Sequence, residues 1–241
     1  MVSDRGRFPA PARGEDFAPA EWAALLATVA ARPGALQLRD KGLDGALRLR
    51  RARRLLEPCR EHGVKLLVNG RVDVALAAGA DGVHLPGDGL PPSDARSLLP
   101  TEALVGRSIH GEDELALAAG ADFFLFGPVY DTPAKRAFGE PQGIARLAAF
   151  CTASERPVLA VGGITTERVP EVLRSGAAGV AVIAAVLDAH PIRVRPWRNS
   201  SPRSPGGGER TPAADGPSPL RRTGVASRIF RIPAGKERLR P

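Results

Sequence analysis

Polar side chains end two of the short apolar runs in this sequence, at positions where they could bind an anionic ligand. The first run ends in Gln37, Arg39 and Lys41, which strand alternation places on one face, and the second ends in Asn69. Arg39 and Lys41 favour a phosphate or carboxylate ligand, because both are cationic donors; an internal ion pair with neighbouring acids is the alternative. Asn69 could bind a ligand heteroatom, or it could cap the helix that follows.

Two histidines lie at the ends of later apolar runs. His110 ends the run LVGRSIH, and an imidazole with an ordinary pKa of about 6.5 suits proton transfer to and from carbon. The alternative for His110 is a cap on the helix that begins near Glu112. His84 lies in the run GVHLP, where a hydrogen-bonded core residue is the better interpretation. We therefore expect His110 to be the acid/base residue.

Two adjacent glycines and two loops could hold the anion opposite that histidine. Gly162 and Gly163 end a run and precede a helix, so their backbone N–H groups could approach a phosphate closely. Loops after the last two strands of an α/β barrel frequently bind phosphate, which adds the loop at Ala184. Thr132 and Lys135 lie in a long polar loop that could close over a substrate.

Apolar runs alternate with amphipathic stretches along the chain. Strands are predicted over 35–41, 65–70, 82–86, 104–110, 122–129, 158–164 and 179–186, and helices over 20–31, 44–62, 71–78, 93–99, 112–119, 144–153 and 167–175. This order indicates a parallel sheet buried on both faces. With a short first strand over 1–4, it predicts a (β/α)₈ TIM barrel whose first strand is truncated or whose start lies upstream. A doubly wound sheet is the disfavoured alternative, because no GxGxxG follows the first run.

The last 51 residues differ in composition from the rest of the 241-residue chain. They hold nine prolines, six glycines, 12 of the 34 Lys and Arg and three of the 26 Asp and Glu, for a net charge of +9 against −1 elsewhere. Such a segment buries too little apolar surface to order itself. We predict a barrel domain over 1–190 and a disordered basic tail over 191–241. Nucleic-acid binding by the tail is disfavoured, because Trp197 and Phe230 are its only aromatic residues.

Several classes of protein are excluded by what the sequence lacks. No apolar run is long enough to span a membrane, and the first residues do not form a secretion signal, so we expect a cytoplasmic protein without a membrane partner. Two cysteines outside any CxxC pair and four scattered histidines predict no disulfide framework and no metal site of the Cys/His type. A homodimer is compatible with the sequence, but nothing in it specifies a partner face.

Six segments resemble the thiamine-phosphate synthase and thiazole tautomerase (TenI-like) superfamily. They are QLRDK at 37–41, LLVNGRVDVAL at 66–76, ADGVHLP at 80–86, GRSIH at 106–110, FGPVYDTPAKR at 126–136 and AVGGI at 160–164. The resemblance covers roughly residues 1–187 and implies a TIM barrel that acts in thiamine biosynthesis on a phosphorylated thiazole.

The resemblance implies one of two reactions. The synthase branch joins a pyrimidine pyrophosphate to a thiazole phosphate with Mg²⁺, and its pattern has Asn-Asp after the third strand, a second aspartate after the fourth, and Thr-x-Thr-Lys after the sixth. This chain has Gly70 and Gly89 at the two aspartate positions, with Asp88 one residue early, and Thr132-Pro133-Ala134-Lys135 in the loop. These departures put Mg²⁺-pyrophosphate binding in doubt.

The tautomerase branch is similar to this chain at Asn69-Gly70-Arg71 and at Gly106–His110. It implies metal-free isomerisation of a carboxylated, non-aromatic thiazole phosphate to its aromatic form, with His110 as acid/base and no cofactor. The implied binding residues are Gln37, Arg39, Lys41, Asn69, Ser108, Thr132 and Lys135, with Gly162, Gly163 and Ala184 at the phosphate. We take the tautomerase as the first hypothesis, the synthase as the second and a non-catalytic thiazole or thiamine phosphate-binding regulator as the third.

Overall fold

Seven parallel strands form one sheet in which every strand is hydrogen-bonded to its neighbour in the sequence. The computed structural model describes residues 1–133, 136 and 140–183. The strands follow one another in the order β1 to β7. They are β1 (Ala35–Leu38), β2 (Lys65–Asn69), β3 (Gly82–Leu85), β4 (Leu104–Ile109), β5 (Phe123–Phe126), β6 (Val158–Val161) and β7 (Gly179–Ala181).

The first residues of the chain join the two edges of this sheet. Val2 forms a parallel bridge with Gln37 of β1, and its N–H donates to the carbonyl of Val182, just after β7, at 3.0 Å. The N–H of Ser3 donates to the Gln37 carbonyl at 2.8 Å. Residues 1–3 thus occupy the eighth position between β7 and β1, which closes the sheet. The predicted barrel is confirmed, and its first strand is reduced to one bridge.

Helices follow the strands where the sequence predicts them, except that the helix predicted over 167–175 begins with a 3₁₀ turn, Thr166–Arg168, and that a second segment differs in type. They are α1 (Pro19–Ala30), α2 (Gly45–Glu61), α3 (Val72–Ala78), α4 (Pro92–Leu98), α5 (Gly143–Ala153) and α6 (Val169–Arg174). The stretch predicted as a helix over 112–119 is instead a 3₁₀ helix, Glu112–Ala118. Among the described residues, no helix combines the length and the apolarity that a bilayer crossing requires.

A repeated Ala-Gly-Ala-Asp phrase connects two helical segments to the strands that follow them. Gly79 ends α3 with φ +68°, and Gly120 follows the 3₁₀ helix with φ +92°, conformations that favour glycine. The aspartate of each phrase then accepts from a strand N–H: Asp81 from Leu66 at 2.9 Å and Asp122 from Val105 at 2.8 Å. The phrase therefore ends the helical segment and fixes the next strand against its neighbour.

Alternation along the strands divides the apolar residues between the barrel interior and the helix-facing layer. Interior residues form one cluster: Val2, Leu67, Leu104, Phe123, Leu125, Leu159 and Ala181. Their sequence neighbours on the strands face outward and pack in two larger clusters that include helix residues. This apolar plug lies within the barrel, so the polar side chains that these strands offer to a ligand from the interior face lie at their carboxyl ends.

Candidate active site

Four polar side chains from four neighbouring strands form a hydrogen-bonded chain at the carboxyl ends of β1 to β4. The Gln37 amide nitrogen Nε2 lies 2.7 Å from Asn69 Oδ1 and 3.1 Å from His84 Nδ1. Ser108 Oγ lies 3.4 Å from His84 Nε2, which is a long hydrogen bond. We call Gln37, Asn69, His84 and Ser108 the interior polar chain. It brings together three predicted binding residues and a histidine predicted as core.

The Asn69 side chain does not cap the next helix. Arg71 precedes the first residue of α3, and no side chain caps that helix. Asn69 is half-buried and accepts from Gln37 instead, so of its two sequence interpretations the capping role is wrong.

His84 is buried and electrically neutral. Burial, together with the positive charges of Arg107 and Arg39, lowers the pKa of its imidazole from 6.5 to about 3, and burial is the largest of these causes. Its side chain is hydrogen-bonded at both ring nitrogens, as expected for a core histidine, yet it faces the same space as the predicted binding residues.

The low pKa of His84 predicts a specific dependence of stability on pH. The unfolded chain takes up a proton on this histidine below pH about 6.5, whereas the folded chain stays neutral until pH about 3. The free energy of unfolding should therefore fall with decreasing pH in this window, by ~2 kcal/mol at pH 5 from this group. Urea unfolding at pH 7 and pH 5 should show a smaller decrease for His84→Gln, and equal decreases would contradict the assignment.

The residues after β1 depart from the predicted alternation. β1 ends at Leu38, so the expected shared face does not extend to Lys41, which is exposed. Arg39 is half-buried, its N–H donates to Ser3 Oγ at 2.8 Å, and its charge acts on His84. No carboxylate of the described residues pairs with Arg39, which leaves its guanidinium available to a ligand.

His110 is held by one ring nitrogen, and its other ring nitrogen faces the barrel mouth. Its Nδ1 lies 2.6 Å from the carbonyl oxygen of Gly127, an atom that can only accept, so Nδ1 carries the proton of the neutral ring. The exposed ring therefore has its lone pair on Nε2, which has no partner among the described residues. Gly111 precedes the 3₁₀ helix as its N-cap, so the alternative of a capping His110 is wrong.

Arg107 fixes the loop that lies beside His110. It is 9% exposed on the outer face of β4, and its guanidinium donates to the carbonyls of Gly87 at 2.6 Å, Leu90 at 3.0 Å and Gly89 at 3.3 Å. A Cβ on Gly87 would lie 3.6 Å from His110 Nε2, so this loop forms one wall around the imidazole. No pattern in the sequence points to Arg107, because its role depends on backbone carbonyls that side-chain types do not reveal.

The double glycine packs tightly against the loop that follows β5. Gly162 and Gly163 have φ of +99° and +64°, and a Cβ on either would come within 2.6 Å of that loop, at Pro128 Cα and the Asp131 carbonyl respectively. Close packing thus requires both glycines even without a ligand. The Tyr130 N–H donates to the Gly162 carbonyl at 3.1 Å, so one segment, 127–131, contacts His110 at its start and the double glycine at its end.

Three further predicted binding residues lie at or beyond the edge of this region. Thr132 is half-buried directly after that segment. Lys135 and Ala184 lie outside the residues that the structure describes, and their predicted roles stay predictions.

Comparison with known proteins identifies the family of this chain. The family model described as thiamine monophosphate synthase matches residues 14–186. The chain belongs to that family. A protein of Geobacter sulfurreducens that is provisionally named thiamine-phosphate synthase is 50% identical over 154 residues, covering 63% of this chain and 72% of that protein.

Two other members of the thiamine monophosphate synthase family agree with this assignment. The thiamine-phosphate synthase of Synechocystis is 45% identical over 170 residues, and the match covers 68% of this chain but 49% of that protein. The solved structure of thiamine phosphate pyrophosphorylase from Pyrococcus furiosus has a TM-score of 0.66 and 29% identity, and the match covers 78% of this chain and 86% of that one. Membership in this family supports an enzyme of thiamine biosynthesis.

The Mg²⁺ that the synthase branch of this family implies does not fit the residues present. Gly70 and Gly89 stand where the resemblance expects carboxylates. A Cβ on Gly70 would meet Pro86 at an ordinary 3.6 Å, but a Cβ on Gly89 would lie 2.9 Å from the same Pro86 Cδ. Within the described ranges, no three His, Cys, Asp or Glu side chains are grouped to hold a metal.

Proposed function

We propose that this chain isomerises a carboxylated, non-aromatic thiazole phosphate to its aromatic form, with His110 as the acid and base. The observation that carries the proposal is the Nδ1 contact to the Gly127 carbonyl, which puts the lone pair of a neutral His110 on Nε2 at an exposed position. A base with a fixed tautomer at the mouth of a barrel needs no metal to move a proton.

The proton transfer involves only the substrate and the side chain of His110. His110 Nε2 takes the proton from the ring C–H, and the electron pair of that bond enters the ring. The same proton then returns from Nε2 to the exocyclic carbon, whose double bond shifts into the ring. The product has the same atoms as the substrate, and aromatisation supplies the driving force.

The remaining predicted residues would contact the two anionic groups of the substrate from two sides of the barrel mouth. Arg39, which has no carboxylate partner among the described residues, acts on His84 of the interior polar chain and would face the carboxylate. The Gly162–Gly163 turn, with Lys135 and the loop at Ala184, would hold the phosphate through backbone N–H groups and one cation. Lys41 is exposed and could contact the same ligand only from the outside of the mouth.

The second candidate is the thiamine-phosphate synthase reaction. The relatives described above carry this name, so the comparisons favour the synthase, while the side chains at the strand ends favour the isomerase. The synthase joins hydroxymethylpyrimidine pyrophosphate to thiazole phosphate, and on this chain it would have to work without either of the expected carboxylates.

One assay of the purified full chain separates these candidates. The non-aromatic thiazole phosphate is supplied in EDTA, and in parallel the two synthase substrates are supplied with and without Mg²⁺. We expect aromatic product in EDTA. Mg²⁺-dependent coupling without isomerisation would replace the proposal with the synthase, and binding of product without either reaction would favour the regulator.

Gly70→Asp tests the synthase candidate further. Its φ of +68° is tolerated by aspartate better than by most residues, so we expect a stability cost of about 1 kcal/mol. One added charged contact contributes ~1.5–3 kcal/mol, so Mg²⁺-dependent coupling should increase roughly 10- to 100-fold if the chain is a synthase. Gly70→Asn is the uncharged control of nearly equal shape. Equal coupling rates in both variants would show that this position does not limit a metal-dependent reaction.

A further inference from the structure

The contacts of the interior polar chain determine which of its atoms donate and which accept hydrogen bonds. The Gln37 amide nitrogen contacts Asn69 Oδ1 at 2.7 Å and His84 Nδ1 at 3.1 Å, and an amide nitrogen can only donate. His84 Nδ1 must therefore accept, which places the proton of the neutral ring on Nε2. That proton is directed at Ser108 Oγ, 3.4 Å away.

We propose that His84 is a positioning residue that makes Ser108 a hydrogen-bond donor to the ligand. Because Ser108 Oγ accepts from His84, its own O–H proton is released to point into the half-buried space at the mouth. Asn69 is likewise a donor to the ligand, because its Oδ1 accepts from Gln37 and its amide N–H groups remain for a ligand.

This arrangement recognises a ligand edge that carries hydrogen-bond acceptors. Two neutral donors from β2 and β4 flank the buried imidazole, and no described acceptor competes for the Ser108 proton. A carboxylate satisfies both donors and an unprotonated ring nitrogen satisfies one of them, whereas an N–H on the same edge would meet another donor. Burial and the positive charges of Arg107 and Arg39 keep His84 from taking the second proton that would reverse this order. This inference rests on the proposed function only for the identity of the ligand, a thiazole phosphate.

Nuclear magnetic resonance of the ring nitrogens tests the proton order without any ligand. The full chain is labelled at histidine with ¹⁵N, and the His84 signals are identified by their loss in His84→Asn. We expect an unprotonated Nδ1 and a protonated Nε2 at pH 7. A protonated Nδ1 would overturn the inference, whatever the protein is found to catalyse.

Binding of the aromatic carboxythiazole phosphate then tests the positioning role by calorimetry. Ser108→Ala should weaken binding about fivefold, the size of one neutral hydrogen bond. His84→Asn keeps an acceptor for Gln37 but does not reach Ser108, so it should weaken binding to a similar extent. His84→Gln restores a donor at the position of Nε2 and should recover most of the lost affinity. His62→Asn, at the end of α2, serves as the unrelated histidine control.

The double variant His84→Asn/Ser108→Ala distinguishes positioning from a structural effect. If His84 acts through Ser108, the double variant should bind no more weakly than Ser108→Ala alone. Multiplied losses in the double variant, or failure of His84→Gln to recover affinity, would overturn the positioning role. Absence of binding by the unchanged protein would instead count against the proposed function, and the ring-nitrogen measurement would still decide the proton order.

Discussion

Turnover of the non-aromatic thiazole phosphate should fall about 10²- to 10⁴-fold when His110 is replaced by alanine, the usual contribution of a positioned acid/base group. The reason is geometric: the Gly127 carbonyl fixes the tautomer at Nδ1 and leaves Nε2 as the base that faces the mouth. The measurement is the rate of aromatisation at saturating substrate in EDTA, so that loss of a proton-transfer group appears in kcat.

Controls for His110→Ala separate chemistry from binding and folding. The affinity for the aromatic product should change little, because the anion is held by other groups. The free energy of unfolding should also change little, since the ring is exposed. His62→Ala should keep full turnover. Turnover of His110→Ala within a few-fold of the unchanged protein would remove His110 from the mechanism.

The buried guanidinium of Arg51 joins α1, α2 and the loop after β1. Arg51 Nε donates to Asp40 Oδ2 at 2.6 Å, its other nitrogens contact Glu21 and the Asp16 carbonyl, and the group stacks on Phe17 with 3.9 Å to the ring centroid. Its side chain is fully buried, and the two carboxylates are almost so. Burial raises the pKa of Asp40, while the charge of Arg51 opposes that increase.

Replacing Arg51 with methionine should lower the free energy of unfolding by about 3–5 kcal/mol, because two buried carboxylates would lose the cation that contacts both of them. Urea unfolding at pH 7 measures the loss. Arg50→Met is the matched control: Arg50 is the adjacent residue, it pairs with Asp16 at 2.9 Å, but its side chain is 57% exposed, so we expect less than about 1 kcal/mol.

A further variant keeps the Arg51 prediction testable if Arg51→Met does not fold. Arg51→Lys retains the charge but cannot contact both carboxylates and the backbone as a planar fork, so an intermediate loss is expected. Equal stabilities for Arg51→Lys and Arg51→Met would show that charge contributes nothing at this position. A loss below about 1 kcal/mol for Arg51→Met would show that the cluster is not an electrostatic unit.

The alternation of apolar runs and helices was sufficient to predict the barrel, because most strands are buried on both faces and the helices α1, α2 and α5 are long enough to show their period. The errors have local causes. The strand carrying Gln37 ends at Leu38, and Asp40 beyond it is paired with Arg51, so alternation could not be extended to Lys41. The segment Glu112–Ala118 has helical composition, but it forms 3₁₀ turns, a difference of backbone hydrogen bonding that residue types do not specify.

The site was predictable where a side chain sits at the end of a strand, and it was not predictable where a partner is distant in sequence. Gln37 and Asn69 are 32 residues apart, and Gln37 and His84 are 47 apart, so their contacts depend on strand register. His84 was predicted as core for a sound reason, since it is buried and neutral. Only the register that places it between Gln37 and Ser108 makes it part of the mouth.

The two halves of the barrel mouth differ in whether side chains or backbone conformation shape them. On β1 to β4 the inward-facing positions carry amide, imidazole and hydroxyl groups, whereas on β5 to β7 the inward-facing positions are apolar and the neighbouring turn is shaped by backbone that admits only glycine. A saturation library of the first half should therefore yield proteins with altered ligand preference. The same library across the second half should yield mainly inactive or misfolded chains, so new specificities in this scaffold are to be sought on one side of the barrel only.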